Sequence, residues 1–171
     1  ARAWNAMLKQ AEQTEMTSEA GAPSFGRDAD LVKIKNNTNT NLNQFAIVGL
    51  GTPLITPAQN ESEFRRQITF NGDTPLSNTH QGKFAVLQAP LAINAIGWGL
   101  VAGGTPVNLN TVNTNAPSYV EITNGNTGVL QAGTTGSAQL LYASNANSNN
   151  ALGGIRLPVS SPSNASFSGC R

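Results

Sequence analysis

Side chains able to perform acid–base or nucleophilic chemistry are few in this chain of 171 residues. There is one histidine, His80, and one cysteine, Cys170. A nucleophile needs a base within hydrogen-bond reach, and a zinc site needs three or four ligands. We interpret His80, in the polar run 78–82, as a surface loop residue. Cys170 is interpreted as a free thiol in the C-terminal tail, with an intermolecular disulfide as the alternative. No catalytic residue, metal site or cofactor is predicted.

The acidic residues do not form a recognisable site either. Asp28 and Asp30 have the spacing that opens a calcium loop, but the later Gly and Glu of that loop do not follow. Glycoside hydrolysis uses two carboxylates on either side of the scissile bond. Spacing alone leaves such a pair open, but nine acidic residues in a polar chain bring some acids close together by chance, so hydrolase activity is not predicted. The available acids are Glu61, Glu63, Asp73 and Glu121.

The glycines around Trp98 match the loose form of a dinucleotide-binding fingerprint, Gly97-x-Gly99-x-x-Ala102. The fingerprint requires a helix immediately afterwards, whereas residues 103–106 read Gly-Gly-Thr-Pro. We therefore interpret these glycines as bends or close backbone contacts within strands.

Charge is scarce in the sequence, which limits the classes of partner. Only 11% of the residues are charged, the net charge is +1, and the densest basic point is Arg65–Arg66. Nucleic-acid binding needs lysines and arginines clustered on one face, so it is not predicted. No apolar run approaches the roughly 20 residues that cross a bilayer, and no membrane partner is predicted.

Short apolar runs separated by Gly, Pro, Asn and Asp predict an all-β fold. In residues 31–35, Val32 and Ile34 alternate with lysines, which is typical of a half-buried strand. Asn71-Gly72 and Asn124-Gly125 are predicted hairpin turns. About ten short strands without interleaved helices predict a sandwich or a partly open barrel. No repeat of fixed period is visible, and the open sheet edges are expected to favour oligomerisation.

One amphipathic helix is predicted ahead of the β domain, over residues 2–16. Its apolar stripe has the spacing i, i+3, i+4, i+7 and consists of Trp4, Met7, Leu8 and Ala11. This stripe needs cover, either from the chain's own β domain or from a neighbouring subunit on which it docks. The predicted organisation is a helical arm (1–20), a linker (21–30), a β domain (31–158) and a flexible tail (159–171).

Trp98 has two interpretations. Between two glycines, its ring could stand clear of neighbouring side chains and form a ligand platform; otherwise it is a core aromatic residue. In the core interpretation, Trp98→Ala would lower stability and leave ligand affinity unchanged. Tyr119 and Tyr142 also fall in predicted strands.

The segment from Lys33 to about Leu157 resembles a family of uncharacterised phage and prophage virion proteins. The similarity is carried by residues 32–36 (VKIKN), 45–51 (FAIVGLG), 64–72 (FRRQITFNG), 82–87 (GKFAVL) and 136–141 (GSAQLL). Trp4-Asn5-Ala6 is similar to the segment that precedes this domain in such proteins. The resemblance implies a head decoration protein, a head fibre or a tail accessory protein, located on the virion, and it carries no catalytic residues.

The sequence therefore leads to two functional hypotheses. The first is a non-enzymatic virion structural subunit that contacts copies of itself and a major capsid or tail protein, with a trimer as the working hypothesis. The alternative is a carbohydrate-binding or adhesive module on a cell or fibre surface.

Overall fold

The structure, a computed structural model, describes residues 30–157. Ten strands and two short helices make up this part of the chain. They are β1 (Leu31–Asn36), β2 (Ile47–Pro53), α1 (Glu61–Arg66), β3 (Thr69–Asp73), α2 (Ser77–His80), β4 (Phe84–Leu87), β5 (Ile96–Leu100), β6 (Gly103–Asn110), β7 (Tyr119–Ile122), β8 (Leu130–Gly133), β9 (Ala138–Ala143) and β10 (Ala151–Leu157). The predicted all-β class and the number of strands are confirmed. The predicted N-terminal helix, most of the linker and the C-terminal tail lie outside the described residues.

The strands form two sheets of five, and each sheet closes on itself as a barrel. In the first barrel, the order is β1–β3–β2–β4–β5, and β5 pairs with β1 to close the ring. The pair β1–β3 is parallel, and the other pairs are antiparallel. The predicted sandwich or partly open barrel is therefore corrected to two closed barrels.

The second barrel repeats the topology of the first. Its order is β6–β8–β7–β9–β10, again closed by pairing of the last strand with the first. Its one parallel pair, β6–β8, occupies the same place as β1–β3. The sequence showed no repeat because the equivalent strands have different residues and are joined by loops of different length.

Closure of the first barrel depends on glycines that face its interior. Ile34 is fully buried in the core, and it lies against Gly72 of β3 and Gly99 of β5. A Cβ at either glycine would collide with the Ile34 side chain. A five-stranded barrel has little internal volume, so one isoleucine fills the space that three strands share.

Strand β4 belongs to two cores at once. Ala85 and Leu87 face the interior of the first barrel, in the same cluster as Ile34. Phe84 and Val86 point the other way and join the core of the second barrel. Because consecutive strand residues point to opposite faces, all four residues of β4 are buried.

Of the two predicted Asn-Gly hairpin turns, the structure contains one. Asn124-Gly125 joins the antiparallel strands β7 and β8, with Gly125 at φ 71°, and this hairpin prediction is confirmed. The prediction for Asn71-Gly72 is wrong, since both residues lie within β3. Gly72 serves there as the small residue against Ile34 rather than as a turn residue.

The expectation of open sheet edges is also wrong for the described chain. Every strand between residues 30 and 157 has a hydrogen-bonded neighbour on both sides. The two sheets therefore present no open edge strand for edge-to-edge pairing with another copy.

Candidate binding surface around Trp98

Trp98 lies on the outside of the first barrel, in the middle of β5. Its side chain is 45% exposed, and its neighbour on the same face, Ile96, is 52% exposed. Gly97 and Gly99 face inward, where a Cβ would collide with Leu91 and Ile34 respectively. The alternation of the strand thus places the aromatic ring in solvent, and the interpretation of Trp98 as a core residue is wrong.

Two lysines of β1 stand beside these apolar side chains. In the antiparallel pairing of β1 with β5, Lys33 is opposite Trp98 and Lys35 is opposite Ile96. The Lys33 ammonium lies 5.5 Å from the centroid of the Trp98 ring, within the range of a cation–π interaction. We call Lys33, Lys35, Ile96 and Trp98 the Trp98 face.

The charge of the Trp98 face is not balanced within residues 30–157. The ion pairs in this part of the chain are Glu61–Arg65, at 2.6 Å, and Glu63–Arg66, at 3.6 Å. On the other side of β1, β3 places Thr69 beside Lys33 and Asn71 beside Lys35, both uncharged. The surface therefore combines apolar side chains, two cations and hydrogen-bonding groups, and it suits an anionic partner with an apolar part.

A pocket of about 480 Å³ opens between the start of β1 and the end of β5. Gln88 contributes to its lining and donates its backbone N–H to the carbonyl of Trp98, at 3.0 Å. Asp30 also lines it, and its carbonyl accepts from the N–H of Val101 at 2.8 Å. The pocket thus marks the place where the chain enters the first barrel.

The second barrel exposes apolar side chains at the equivalent position. Gly153 of β10 pairs with Val107 of β6, in the same way that Gly99 of β5 pairs with Val32 of β1. The two glycines are therefore equivalent, and so are the residues that precede them, Leu152 and Trp98. Leu152 is 60% exposed, and Leu141 and Tyr142 on the neighbouring strand are also exposed. We call these three residues the Leu152 face. Both barrels therefore present large apolar side chains on the outer surface of their last strand.

His80 is not the surface loop residue that the sequence predicted. It ends helix α2, is only 4% exposed, and accepts a hydrogen bond at Nδ1 from the N–H of Leu76, at 3.1 Å. Its ring lies where a Cβ of Gly49 would be, so Gly49 makes room for it. The polar neighbours of His80 in sequence gave no sign of this burial.

The acidic candidates are held by separate local partners. Glu61 and Glu63 pair with arginines of their own helix. Asp73 accepts from Asn37 Nδ2 at 2.6 Å, and Glu121 accepts from the N–H of Ser137 at 3.1 Å. Each of the four carboxylates therefore has its own local partner, and no two of them share one.

Among residues 30–157, no group of three or more His, Cys, Asp or Glu side chains is placed to hold a metal ion. None of the helices in the same range is long and apolar enough to cross a membrane. The predicted docking residues Trp4, Met7, Leu8 and Ala11 lie outside the described residues, as do Cys170 and Asp28.

Comparison with protein-family models, with characterised proteins and with solved structures found no match.

Proposed function

We propose that this chain is a non-enzymatic structural subunit of a bacteriophage particle. It decorates or stabilises the capsid, or belongs to a head fibre or tail, and it docks through the N-terminal residues Trp4, Met7, Leu8 and Ala11. Its partners are copies of itself and a major capsid or tail protein, and its location is the surface of the virion. The sequence resemblance described above motivates this proposal.

The observation that carries the proposal is the exposure of large apolar side chains at equivalent positions of two closed barrels. Trp98, in the middle of β5, and Leu152, near the start of β10, both project into solvent. Leaving such side chains in water is unfavourable, and clusters of them often mark contact with other proteins. Because both sheets are closed, neither has an open edge strand, and a subunit of this kind is expected to associate through its side chains.

The test is cryo-EM of native particles from the source of the protein. We expect repeated density that fits two adjoining five-stranded barrels on a capsid or tail lattice, with the Trp98 face or the Leu152 face at a contact. Particles that lack this chain, by both density and mass spectrometry, would refute the proposal.

A binding assay tests the docking segment. Purified protein lacking residues 1–20 should no longer bind particles, while the far-ultraviolet circular dichroism of its β-barrels stays unchanged. Loss of the β signal in this variant would show instead that the segment is required for folding.

The alternative is a carbohydrate-binding or adhesive module, and the exposure of Trp98 favours it as well. A sugar ring could stack on the indole, with Lys33 on the neighbouring strand near enough to donate a hydrogen bond. A glycan array separates the two functions. Glycan binding that is lost in Trp98→Ala while circular dichroism shows the variant to be folded would support the carbohydrate module. The absence of glycan binding by the unaltered chain would favour the particle subunit.

A further inference from the structure

The residues ahead of β1 have a composition that complements the Trp98 face. The apolar stripe Trp4, Met7, Leu8 and Ala11 is followed by three glutamates, Glu12, Glu15 and Glu19. Residues 10–20 contain these three acids and no lysine or arginine. The segment therefore has an apolar part followed directly by an anionic part.

The predicted helix would place the two parts on one side. Leu8 and Glu12 are four residues apart, and so are Ala11 and Glu15. Residues at this spacing are neighbours on a helix surface. A helix of this sequence thus presents apolar side chains and carboxylates along the same side.

The Trp98 face has the matching arrangement. Ile96 and Trp98 of β5 form its apolar part, and Lys33 and Lys35 of β1 form its cationic part, one strand away. Adjacent strands are about 4.8 Å apart, so one helix, about 10 Å wide, covers both parts together. The lysines are not in ion pairs with other described residues, so each is free to meet a carboxylate.

The connection between the segment and the face is short. The bond from Val101 N–H to the Asp30 carbonyl fixes the chain at the start of β1. Trp98 is opposite Lys33, three residues further along, or about 10 Å. Residues 21–29 include Gly21, Pro23 and Gly26 and can span up to about 30 Å, which is enough for the chain to reverse. Such a tether gives an effective concentration in the millimolar range, which favours binding within one chain.

We propose that, in the free subunit, residues 1–20 bind the Trp98 face of their own chain. The side chains of Trp4 and Leu8 cover Ile96 and Trp98, and the glutamates pair with Lys33 and Lys35. This inference concerns the isolated protein and does not depend on the proposed function. If both hold, the segment must leave the Trp98 face before it docks on a particle, because the same apolar side chains are used in both contacts.

Zero-length cross-linking of the full-length native chain tests the proposal. A carbodiimide joins a carboxylate to an amine only when the two are in contact. We expect amide links from Glu12, Glu15 or Glu19 to Lys33 or Lys35 in the monomer band, identified by mass spectrometry. Lys83 is the control, since it is an exposed lysine of the same barrel outside the Trp98 face.

A surface variant tests whether the apolar part is involved. Trp98→Ser should lower the yield of these links about fivefold, the effect of losing one good aromatic contact, and should leave other links unchanged. Circular dichroism and the melting temperature establish that the variant is folded. An undiminished yield in this folded variant would overturn the proposed binding mode.

Three further outcomes would overturn the proposal. The first is the absence of links to Lys33 and Lys35 when carbodiimide reacts elsewhere. The second is an equal yield at Lys83, which would indicate unspecific collisions of the segment. The third is linkage only between chains in a mixture of light and heavy isotope-labelled protein, which would place the segment on a second copy. None of these measurements uses particles, so their failure is distinguishable from failure of the proposed function.

Discussion

Asn36 and Thr111 occupy the same position in the two barrels. Each follows the central core residue of the first strand by two positions, and each is at most 2% exposed. The backbone N–H of Asn36 donates to Ala95 O, and that of Thr111 donates to Ser148 O, in both cases just before the last strand of the barrel. Each barrel therefore has a buried polar residue at this position, and its backbone N–H is bonded to the segment that leads into the closing strand.

Replacing Asn36 by alanine should lower the free energy of unfolding by about 3 kcal/mol. Its amide donates to the carbonyls of Thr40 and Leu91, at 2.9 and 3.1 Å, and its oxygen accepts from Thr38. The alanine variant would lose these four hydrogen bonds and would leave the N–H of Thr38 without a partner. Urea unfolding measures the change. Asn37→Ala is the matched control, since Asn37 is exposed, and it should cost about 0.5 kcal/mol or less. Equal losses in both variants would contradict this role.

Gly153 and Gly154 should respond to alanine in opposite ways. A Cβ at Gly153 would collide with Leu109 and would lie 2.7 Å from the backbone oxygen of Tyr142, whereas a Cβ at Gly154 meets no atom within 4 Å. We expect Gly153→Ala to lower stability by about 1–3 kcal/mol or to prevent folding. Gly154→Ala should leave stability unchanged or raise it by up to about 1 kcal/mol, because alanine restricts the unfolded chain. Thermal unfolding of the two proteins under one buffer condition gives the comparison.

His80→Ala should destabilise the first barrel by about 2–3 kcal/mol. The substitution removes the acceptor for the Leu76 N–H and leaves a cavity beside Gly49. Denaturant titration of the variant is compared with that of Thr79→Ala, which changes the exposed neighbouring residue. A His80→Ala protein as stable as the control would show that the buried position of the ring is not important for folding.

Trp98→Ala should cost only about 1–2 kcal/mol of stability, because nearly half of its side-chain surface is already in water. Phe84→Ala, on strand β4 of the same sheet, is the comparison. Phe84 is 4% exposed, and its truncation should cost about 3–5 kcal/mol. A larger loss for Trp98 than for Phe84 would restore the core interpretation of the tryptophan.

Local sequence patterns predicted much of the secondary structure and little of the tertiary arrangement. The alternation of Val32 and Ile34 with lysines predicted β1, and Asn124-Gly125 predicted the β7–β8 hairpin; both depend on neighbours in sequence. The parallel pairing of β1 with β3 joins residues more than thirty positions apart, and no local pattern encodes it. The burial of His80 and the place of Gly72 within a strand also depend on distant residues, Gly49 and Ile34 respectively.

The exposure of Trp98 illustrates a further limit. The sequence showed an aromatic residue between two glycines, which is compatible with either side of a strand. Trp98 faces solvent because the Ile34 side chain occupies the interior next to Gly99, so the glycines of β5 face inward. The candidate surface could therefore be suspected from sequence, but its lysines could be assigned to it only when the register of β1 and β5 was known.

The two-sided burial of β4 makes the tandem barrels a single folding unit. Phe84 and Val86, with Ile47 of β2, belong to the core of the second barrel although their strands belong to the first. Burying side chains of this size contributes about 1.5–3 kcal/mol each, a large part of the net stability of an ordinary domain. A chain cut between Ala102 and Gly103 would thus not yield two independent modules, and both halves are expected to melt together in one transition. Under a pulling force, neither barrel is therefore expected to open while the other remains intact.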